Sequence, residues 1–180
     1  MQPGSFSTAR IRIRKAIPED AQLLSELAVI TFIASHGHSA PAEDISAYTR
    51  SNYTSDKLKS ELKNPANIYH LITYDQEPAG FSKICLNSPH EDMLQKNIAK
   101  LDRIYLLEKF QGLSLGKALL DFNIALCKEN SQSGLWLYVW VHNETAIRFY
   151  KKAGFRIVGS FDFRISETHT NPNHRMLLEW

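Results

Sequence analysis

The chain has 180 residues, a length that favours a single domain. Hydrophobic residues make up 43% and charged residues 22% of the sequence, values typical of a folded globular protein rather than a disordered one. The 21 basic and 19 acidic residues give a net charge of +2, too small an excess for a dedicated nucleic-acid-binding protein. No apolar run approaches the roughly 18 residues that a membrane-spanning helix needs. We therefore expect neither a nucleic-acid partner nor a membrane partner.

The N-terminal segment and the cysteines indicate the cellular setting of the protein. The first nine residues lack the apolar core of a signal peptide and are predicted to be a flexible leader, which leaves a folded domain over residues 10–180. Cys85 and Cys127 are too few for a disulfide framework or a four-cysteine zinc site, and we interpret both as small buried hydrophobic residues. His36 and His38 form an isolated H-x-H, which is typical of a solvated loop and only a weak metal signal. We expect a reduced, cytoplasmic setting and no metal.

Periodicity and turn residues predict a succession of strands and helices. The strands are predicted over residues 10–16, 68–74, 79–86, 101–107, 135–141, 155–163 and 174–180. Helices are predicted from Pro18, from Pro41, over residues 55–63 with Ser55 as the cap, from Leu115, and from the cap Asn143 to Gly154. Leu23, Leu24, Leu27, Ile30 and Phe32 are predicted to face inward from the first of these helices. The order predicts a single α/β (α+β) sheet with helices on its faces.

The segment from Leu101 to Lys117, LDRIYLLEKFQGLSLGK, carries the first functional signal. A strand runs into a turn containing Gly112 and Gly116 and then into a helix. Such a turn directs several backbone N–H groups and the positive end of the helix dipole toward one point, which suits a pyrophosphate. The glycine spacing fits neither a Walker A loop nor a dinucleotide fingerprint. On this pattern alone, a glycine turn without any ligand remains the alternative.

The second functional signal is LWLYVWVHNETAIRFYKKAGF, residues 135–155. A strand is followed by Asn143 as a helix cap and by a helix with Ala146, Phe149 and Tyr150 on one face. From periodicity, Tyr150 is either a core aromatic or a residue whose hydroxyl reaches a site at the strand ends.

Together these segments resemble the two motifs of the GNAT N-acetyltransferases. Residues 111–120, QGLSLGKALL, are similar to the family's acetyl-CoA loop, Gln/Arg-x-x-Gly-x-Gly/Ala, with Ser114 in place of the middle glycine. The second segment is similar to Asn-x-x-Ala-x-x-x-Tyr-x-x-x-Gly-Phe, matched here by Asn143, Ala146, Tyr150, Gly154 and Phe155. The resemblance extends over residues 10–180. Within the family, residues 135–155, DRIYLLEKFQ and Ile30–Phe32 resemble the bacterial spermine/spermidine acetyltransferase (PaiA-type) branch.

The resemblance implies a mixed, mostly antiparallel sheet with a splayed parallel strand pair and helices on both faces. It implies that acetyl-CoA, the cosubstrate, binds between the splayed strands. The cofactor-binding residues it implies are Ile104, Tyr105 and Leu106 on the strand, Gln111, Gly112, Leu113, Ser114, Leu115, Gly116 and Lys117 in the loop, and Asn143, Ala146, Phe149 and Lys152 beyond it. If the position of Ser114 requires a positive φ, serine is strained there.

The mechanism implied is direct attack of an amine on the thioester, with no acyl-enzyme. Tyr150 is the implied proton donor to the leaving thiolate. Asp102 is a candidate base, acting on the amine directly or through water, and strand alternation predicts it on the same face as Ile104 and Leu106. The alternative is that Asp102 is solvated or paired with Arg103.

A polyamine is the acceptor that this branch implies. Glu43, Asp44, Asp102 and Glu108 are the carboxylates that could line an elongated cleft for it. Another small amine, an amino acid, an aminoglycoside or a protein amine are the alternatives, as is a CoA-binding regulatory module without activity. By analogy with relatives, a homodimer is possible, with the C-terminal strand ending at Trp180 as a contact.

Overall fold

The structure is a computed structural model that describes residues 5–8 and 10–180. Within these residues, eight strands form one sheet and five helices pack on it. The strands are β1 (Ser5–Ser7), β2 (Ile11–Lys15), β3 (Asn67–Tyr74), β4 (Glu77–Cys85), β5 (Ala99–Leu106), β6 (Gly134–Trp140), β7 (Arg156–Arg164) and β8 (Thr170–Glu179). The helices are α1 (Ala21–His36), α2 (Ala42–Asn52), α3 (Ser55–Lys63), α4 (Leu115–Glu129) and α5 (Glu144–Lys152), with 3-10 turns at Pro18–Asp20 and Glu108–Phe110.

The strand order in the sheet is β1-β2-β3-β4-β5-β6-β8-β7, and every neighbouring pair is antiparallel except β5 and β6. Alternation along β3 separates two core layers. Tyr69 and Leu71 pack with α1, α2 and α3, whereas Ile72 packs with Leu115 and Leu119 of α4 on the opposite face. The predicted mixed, mostly antiparallel sheet with helices on both faces is therefore confirmed.

The sheet splits between β5 and β6. These parallel strands are paired only at Ala99 with Leu135 and at Lys100 with Trp136, and they diverge beyond that point. On its other side, β5 stays paired with β4 as far as Leu106. The register of the β4–β5 pair shifts between Lys83 and Ile84, opposite Asp102, and such a bulge bends and twists the strand. The edge of β5 from residue 102 to residue 106 is left without a strand neighbour.

The first strand lies where the sequence predicts a flexible leader. Ser5–Ser7 pairs antiparallel with β2, and the Thr8 hydroxyl accepts a hydrogen bond from the Ile11 N–H at 3.0 Å in the connecting turn. The leader prediction is wrong for Ser5–Ser7, because three residues are too few to show strand alternation. Residues 1–4 and 9 lie outside the described residues.

Three helix details differ from the sequence predictions. Helix α1 continues to His36, so this histidine lies on a helix and not in a loop. Ile30 is 55% exposed, although the predicted stripe turned it inward, and Phe32 is buried. Helix α3 is capped by Thr54, not Ser55, because the Thr54 side chain accepts a hydrogen bond from a backbone N–H in the first turn.

The C-terminal strand lies inside the sheet. β8 pairs with β6 on one side and with β7 on the other, so β7 is the edge strand at this end of the sheet. The strand ending near Trp180 therefore has no free backbone edge to offer a second copy of the chain, and the predicted homodimer contact there is not supported. None of the helices within residues 5–8 and 10–180 is long and apolar enough to cross a membrane.

Candidate active site

The divergence of β5 and β6 opens a cleft of about 1390 Å³ in the middle of the sheet. Its lining comes from both helical layers. Leu115 of α4 and Phe149 of α5 line it on one face of the sheet, and Phe32 of α1 and Tyr48 of α2 line it on the other. Two ligands entering from opposite faces can therefore meet in the gap between the strands.

One end of the cleft is the turn that leads from β5 into α4. Gly112 and Ser114 both have left-handed backbones, with φ of +81° and +60°. Among the described residues, the backbone N–H groups of residues 112–117 donate to no backbone carbonyl, and the Ser114 side chain makes no capping bond. These donors lie at the positive end of a 15-residue helix, which is a suitable site for a phosphate group. Lys117 pairs with Asp121 one turn later.

The unpaired edge of β5 forms one wall of the cleft. Ile104 and Leu106 pack toward the α4 layer, and Tyr105 points to the opposite face, where its ring contacts the layer of α1. A backbone segment without a strand neighbour can hydrogen-bond an extended ligand as if the ligand were an added strand.

The opposite wall is built by α5, whose first turn forms as the sequence predicts. The Asn143 side chain accepts a hydrogen bond from the Ala146 N–H at 3.0 Å, and Gly154 ends the helix with a φ of +96°. Tyr150 lines the cleft but is only 8% exposed. Burial raises the pKa of Tyr150, and the neighbouring Tyr105 raises it further. The hydroxyl therefore stays protonated at neutral pH, as a proton donor must.

Of the residues predicted for the site, all except Leu113 line the cleft. Leu113 is 43% exposed and does not line the cleft. The structure thus brings Tyr150, Asp102, the edge of β5, the loop and the start of α5 to one place.

Asp102 is held in a group of charged side chains. Its carboxylate lies 2.8 Å from the Lys100 ammonium group, 3.2 Å from that of Lys83 and 3.8 Å from the Arg103 guanidinium. Burial alone would raise the pKa of Asp102, but Lys100, Lys83 and Arg103 outweigh it and hold the pKa at about 2. A carboxylate this weakly basic is a poor proton acceptor. The surroundings favour the alternative of a salt-bridged Asp102.

The prediction that strand alternation places Asp102 on the same face as Ile104 and Leu106 is wrong. Lys83 is paired with Arg103, and the next pair is Ile84 with Leu101, so Asp102 is the extra residue of the bulge. Its carboxylate shares Lys83 with Glu61 of α3, on the face opposite to Ile104. The bulge could not be read from the sequence, because it depends on the pairing with β4.

Several cleft residues on the α1 side were not predicted as site residues. This side is largely aromatic: Phe32 stacks on Tyr48 and on His36 with ring centroids 4.8 Å apart in each case, and the Trp140 ring lies 6.1 Å from His36. Burial, with a smaller effect of His38, lowers the pKa of His36 to about 4. Tyr138 and Trp140 are two residues apart on β6 and therefore share a face, which is a sequence signal that could have indicated this wall. The full lining on this side also includes Tyr53, Tyr138, Phe163, Asn171 and Asn173.

No three His, Cys, Asp or Glu side chains within the described part of the chain are grouped to hold a metal ion. Cys127 is buried, as predicted, whereas Cys85 is partly buried. Neither cysteine lines the cleft.

Comparison with known proteins decides the family. Residues 31–155 match the model of the acetyltransferase (GNAT) family. The chain belongs to this family. It is an acetyl-CoA-dependent N-acetyltransferase. The recognition from the two sequence motifs is confirmed.

Individual relatives support the assignment. The chain is 33% identical over 140 residues to an uncharacterized N-acetyltransferase of Lactobacillus delbrueckii subsp. lactis, covering 78% of this chain and 79% of that one. It is 28% identical over 148 residues to the spermidine N(1)-acetyltransferase of Thermoplasma acidophilum, covering 82% and 89%. The crystal structure of a PaiA N-acetyltransferase from Thermoplasma acidophilum in complex with coenzyme A is similar, with a TM-score of 0.77, 25% identity and coverage of 94% and 99%.

Proposed function

We propose that this GNAT enzyme transfers the acetyl group of acetyl-CoA directly to a primary amine, with Tyr150 as the proton donor. One observation carries the proposal: a cleft through the sheet connects the unpaired N–H groups of the α4 turn with the Tyr150 side chain and continues to the aromatic wall on the far face. The acetyl donor then enters from the α4 side and the amine from the α1 side.

The loop and the strand edge bind the donor. The N–H groups of residues 112–117 bind the pyrophosphate, and the backbone of residues 104–106 binds the pantetheine arm. The start of α5 contributes Asn143 and Ala146 to the opposite side of the cleft. An N–H group on the exposed edge of β5 is suited to stabilise the oxyanion that develops on the thioester carbonyl.

The transfer requires two proton movements on the acceptor. An alkylammonium has a pKa near ~10, so the amine first loses a proton and then attacks the carbonyl carbon. The carbon–nitrogen bond forms and the carbon–sulfur bond breaks. The thiolate takes a proton from Tyr150, solvent reprotonates the tyrosine, and the second proton of the amine leaves to water.

No residue of the cleft is needed to carry the acetyl group. Cys127 is buried in the core, where burial raises the pKa of its thiol to about 12, and Cys85 lies outside the cleft lining. A thiol with a raised pKa is a weak nucleophile at neutral pH. For the base, the low pKa of Asp102 favours a water molecule as the first proton acceptor.

Polyamines are the first acceptor class to test, because relatives of this chain are spermidine and spermine/spermidine N(1)-acetyltransferases. The charges of the cleft lend this class less support. Of the four carboxylates counted in the sequence, Asp102 and Glu108 line the cleft, and Asp102 is already paired with cations. Asp44 accepts a hydrogen bond from Ser166 instead of facing the cleft.

The test is release of CoA from acetyl-CoA with spermine, spermidine, amino acids, an aminoglycoside and a lysine peptide as acceptors. Saturable release with at least one amine, and an N-acetylated product in the mass spectrum, is expected. Tight acetyl-CoA binding without turnover on any acceptor would instead support the binding-module alternative. A burst of CoA followed by an acetylated protein would contradict direct transfer.

A further inference from the structure

The floor of the cleft on the α1 side carries more positive than negative charge. Five charged side chains from α3, β4 and β5 form one group, here termed the charged cluster: Glu61, Lys83, Lys100, Asp102 and Arg103. Each side chain is 25% exposed or less. Three cations against two carboxylates leave one positive charge without a partner in a place that is largely shielded from water.

Arg103 is the least closely paired of the three cations. Asp102 and Glu61 each lie within 2.8 Å of a lysine ammonium group, but the closest carboxylate oxygen to the Arg103 guanidinium is 3.6 Å away. Arg103 donates one hydrogen bond, from Nη1 to the Tyr69 hydroxyl at 2.7 Å. For comparison, Arg14 binds both oxygens of Asp20 at 2.7 Å. Among the described residues, Nη2 of Arg103 donates no hydrogen bond.

The surrounding elements do not supply the missing negative charge. The cleft lining from α1, α2, β6, β7 and β8 consists of aromatic, aliphatic, amide and histidine side chains and the Ser35 hydroxyl, and among the described residues it includes no carboxylate. Arg103 and Lys100 both line the cleft themselves. An anion that enters the cleft therefore finds a guanidinium and an ammonium group that lack full compensation, and a cation finds a surplus of its own sign.

We propose that the acceptor amine carries a carboxylate, which Arg103 and Lys100 bind on the α1 side of the cleft. This inference rests on the proposed acetyl transfer and narrows its acceptor to an amino acid-like amine. The planar guanidinium suits a carboxylate because it can donate two parallel hydrogen bonds. The rings of Tyr48, Tyr53 and Phe163 contact the carbon chain between the two ends.

The position of Arg103 also indicates the length of the acceptor. Arg103 precedes Tyr105 by two residues on β5, a rise of roughly 7 Å along the strand. The amine reacts beside the exposed edge near Tyr105, and the carboxylate is bound at Arg103. An acceptor with several carbons between its amine and its carboxylate spans this separation, as an ω-amino acid does.

Three probes of matched length differ only in the group at the end opposite the reacting amine. 5-Aminopentanoate carries a carboxylate there, pentylamine carries no charge, and 1,5-diaminopentane carries an ammonium group. We expect kcat/KM to fall in that order, with the amino acid ahead of the diamine by about tenfold or more. A kcat/KM for the diamine that equals or exceeds that for the amino acid would overturn the inference and favour polyamines.

Calorimetric binding of the same probes to the enzyme with CoA separates this inference from the proposed acetyl transfer. Preferential binding of the amino acid without turnover of any probe supports the carboxylate site and contradicts acetyl transfer, and equal binding of all three contradicts the site.

The matched variants are Arg103→Gln in the cleft and Arg10→Gln, an arginine paired with Asp75 at the surface and outside the cleft. The ratio of kcat/KM for 5-aminopentanoate to that for pentylamine is expected to drop about tenfold in Arg103→Gln and to stay unchanged in Arg10→Gln. Arg103→Lys, which keeps the charge, is expected to restore part of the ratio. If Arg103→Gln does not fold, Lys100→Gln tests the same ratio at a less buried position. An unchanged ratio in every folded cleft variant would disprove the assignment.

Discussion

Asp102 and Lys100 form a 2.8 Å ion pair at the point where β5 and β6 begin to diverge. Lys83 lies 3.2 Å from the same carboxylate on its other oxygen. Burial opposes ionisation of Asp102, yet these cations hold its pKa at about 2. The residue that the sequence offered as a base is thus ionised and engaged throughout the neutral pH range.

The first prediction concerns the pH profile of Asp102. Because its folded pKa of about 2 is below its unfolded value near ~3.9, its stabilising effect is complete above about pH 5 and is lost as the pH falls toward 2. Asp102→Asn is expected to lower the free energy of unfolding by about 2 kcal/mol at pH 7 and by about half as much at pH 3, in urea titrations. An acid limb of kcat/KM between pH 5 and 8 that disappears in this variant would show that Asp102 is the base after all.

The second prediction concerns Tyr150. Tyr150→Phe keeps the ring that packs against Phe149 and Phe155 and removes only the proton donor. We expect kcat to fall about 10²- to 10⁴-fold while the Kd of acetyl-CoA stays within a few-fold of the original value. Tyr74→Phe, a similar change on β3 outside the cleft lining, is the control and should leave kcat unchanged. Full activity of Tyr150→Phe would remove this residue from the mechanism.

The third prediction concerns the close approach of β4 to β5. A Cβ added at Gly80 would lie 2.1 Å from the Tyr105 carbonyl oxygen and 2.7 Å from the Leu106 side chain. Gly80→Ala must therefore displace β5 at the edge of the cleft. We expect a loss of about 1–3 kcal/mol in the free energy of unfolding, together with weaker acetyl-CoA binding measured by calorimetry. Unaltered binding would show that this part of β5 does not contact the donor.

The fourth prediction compares two residues of the phosphate-binding turn. Gly112 has a φ of +81° with no atom within 4 Å of an added Cβ, so Gly112→Ala introduces backbone strain without a clash. Ser114 already carries such strain with a φ of +60°. We expect Gly112→Ala to destabilise the protein by about 1 kcal/mol and Ser114→Gly to stabilise it by about 0.5 kcal/mol, in thermal or urea unfolding. Changes of the same sign in both variants would contradict this interpretation of the turn.

The fifth prediction concerns His70, a core residue of β3 whose ring lies 4.9 Å from that of Phe122. Burial, and to a lesser extent Lys15, lowers the pKa of His70 to about 4. Below about pH 6.5 His70 binds a proton in the unfolded chain but stays neutral in the folded protein. The free energy of unfolding therefore falls as the pH drops from 6.5 to 4. His70→Gln should reduce the slope of the free energy of unfolding against pH in this window by the amount that corresponds to roughly one bound proton. An unchanged slope would show that His70 is protonated in the folded protein; His36 contributes a slope of the same sign and remains in both proteins.

Local sequence signals predicted most of the elements, including the turn that leads into α4 and both ends of α5. The Asn143 cap, the Gly154 helix end and the glycine turn before α4 all depend on residues a few positions apart, and the structure has each of them. The inward face of α1 was less well predicted. The hydrophobic pattern predicted that Ile30 and Phe32 both face inward. The packing of α1 on the sheet buries Phe32 and leaves Ile30 in solvent.

Contacts between distant segments explain what the sequence did not show. Ser5–Ser7 becomes a strand only because β2 pairs with it. The surroundings of Asp102 combine Lys83 from β4 with Glu61 from α3, and no local pattern links these residues.

The sequence by itself determined the family and the order of the elements, because these depend on motifs and periodicities that are continuous along the chain. Only the tertiary structure decided which charged groups surround Asp102 and which side chains line the α1 side of the cleft. Asp102 is the extra residue of the bulge, and its carboxylate lies near Lys83 of β4 as well as Lys100 and Arg103 of β5. The same packing leaves Arg103 with no carboxylate oxygen closer than 3.6 Å. Electrostatic environments are set by distances between folded segments, and those distances exist only once the sheet has formed.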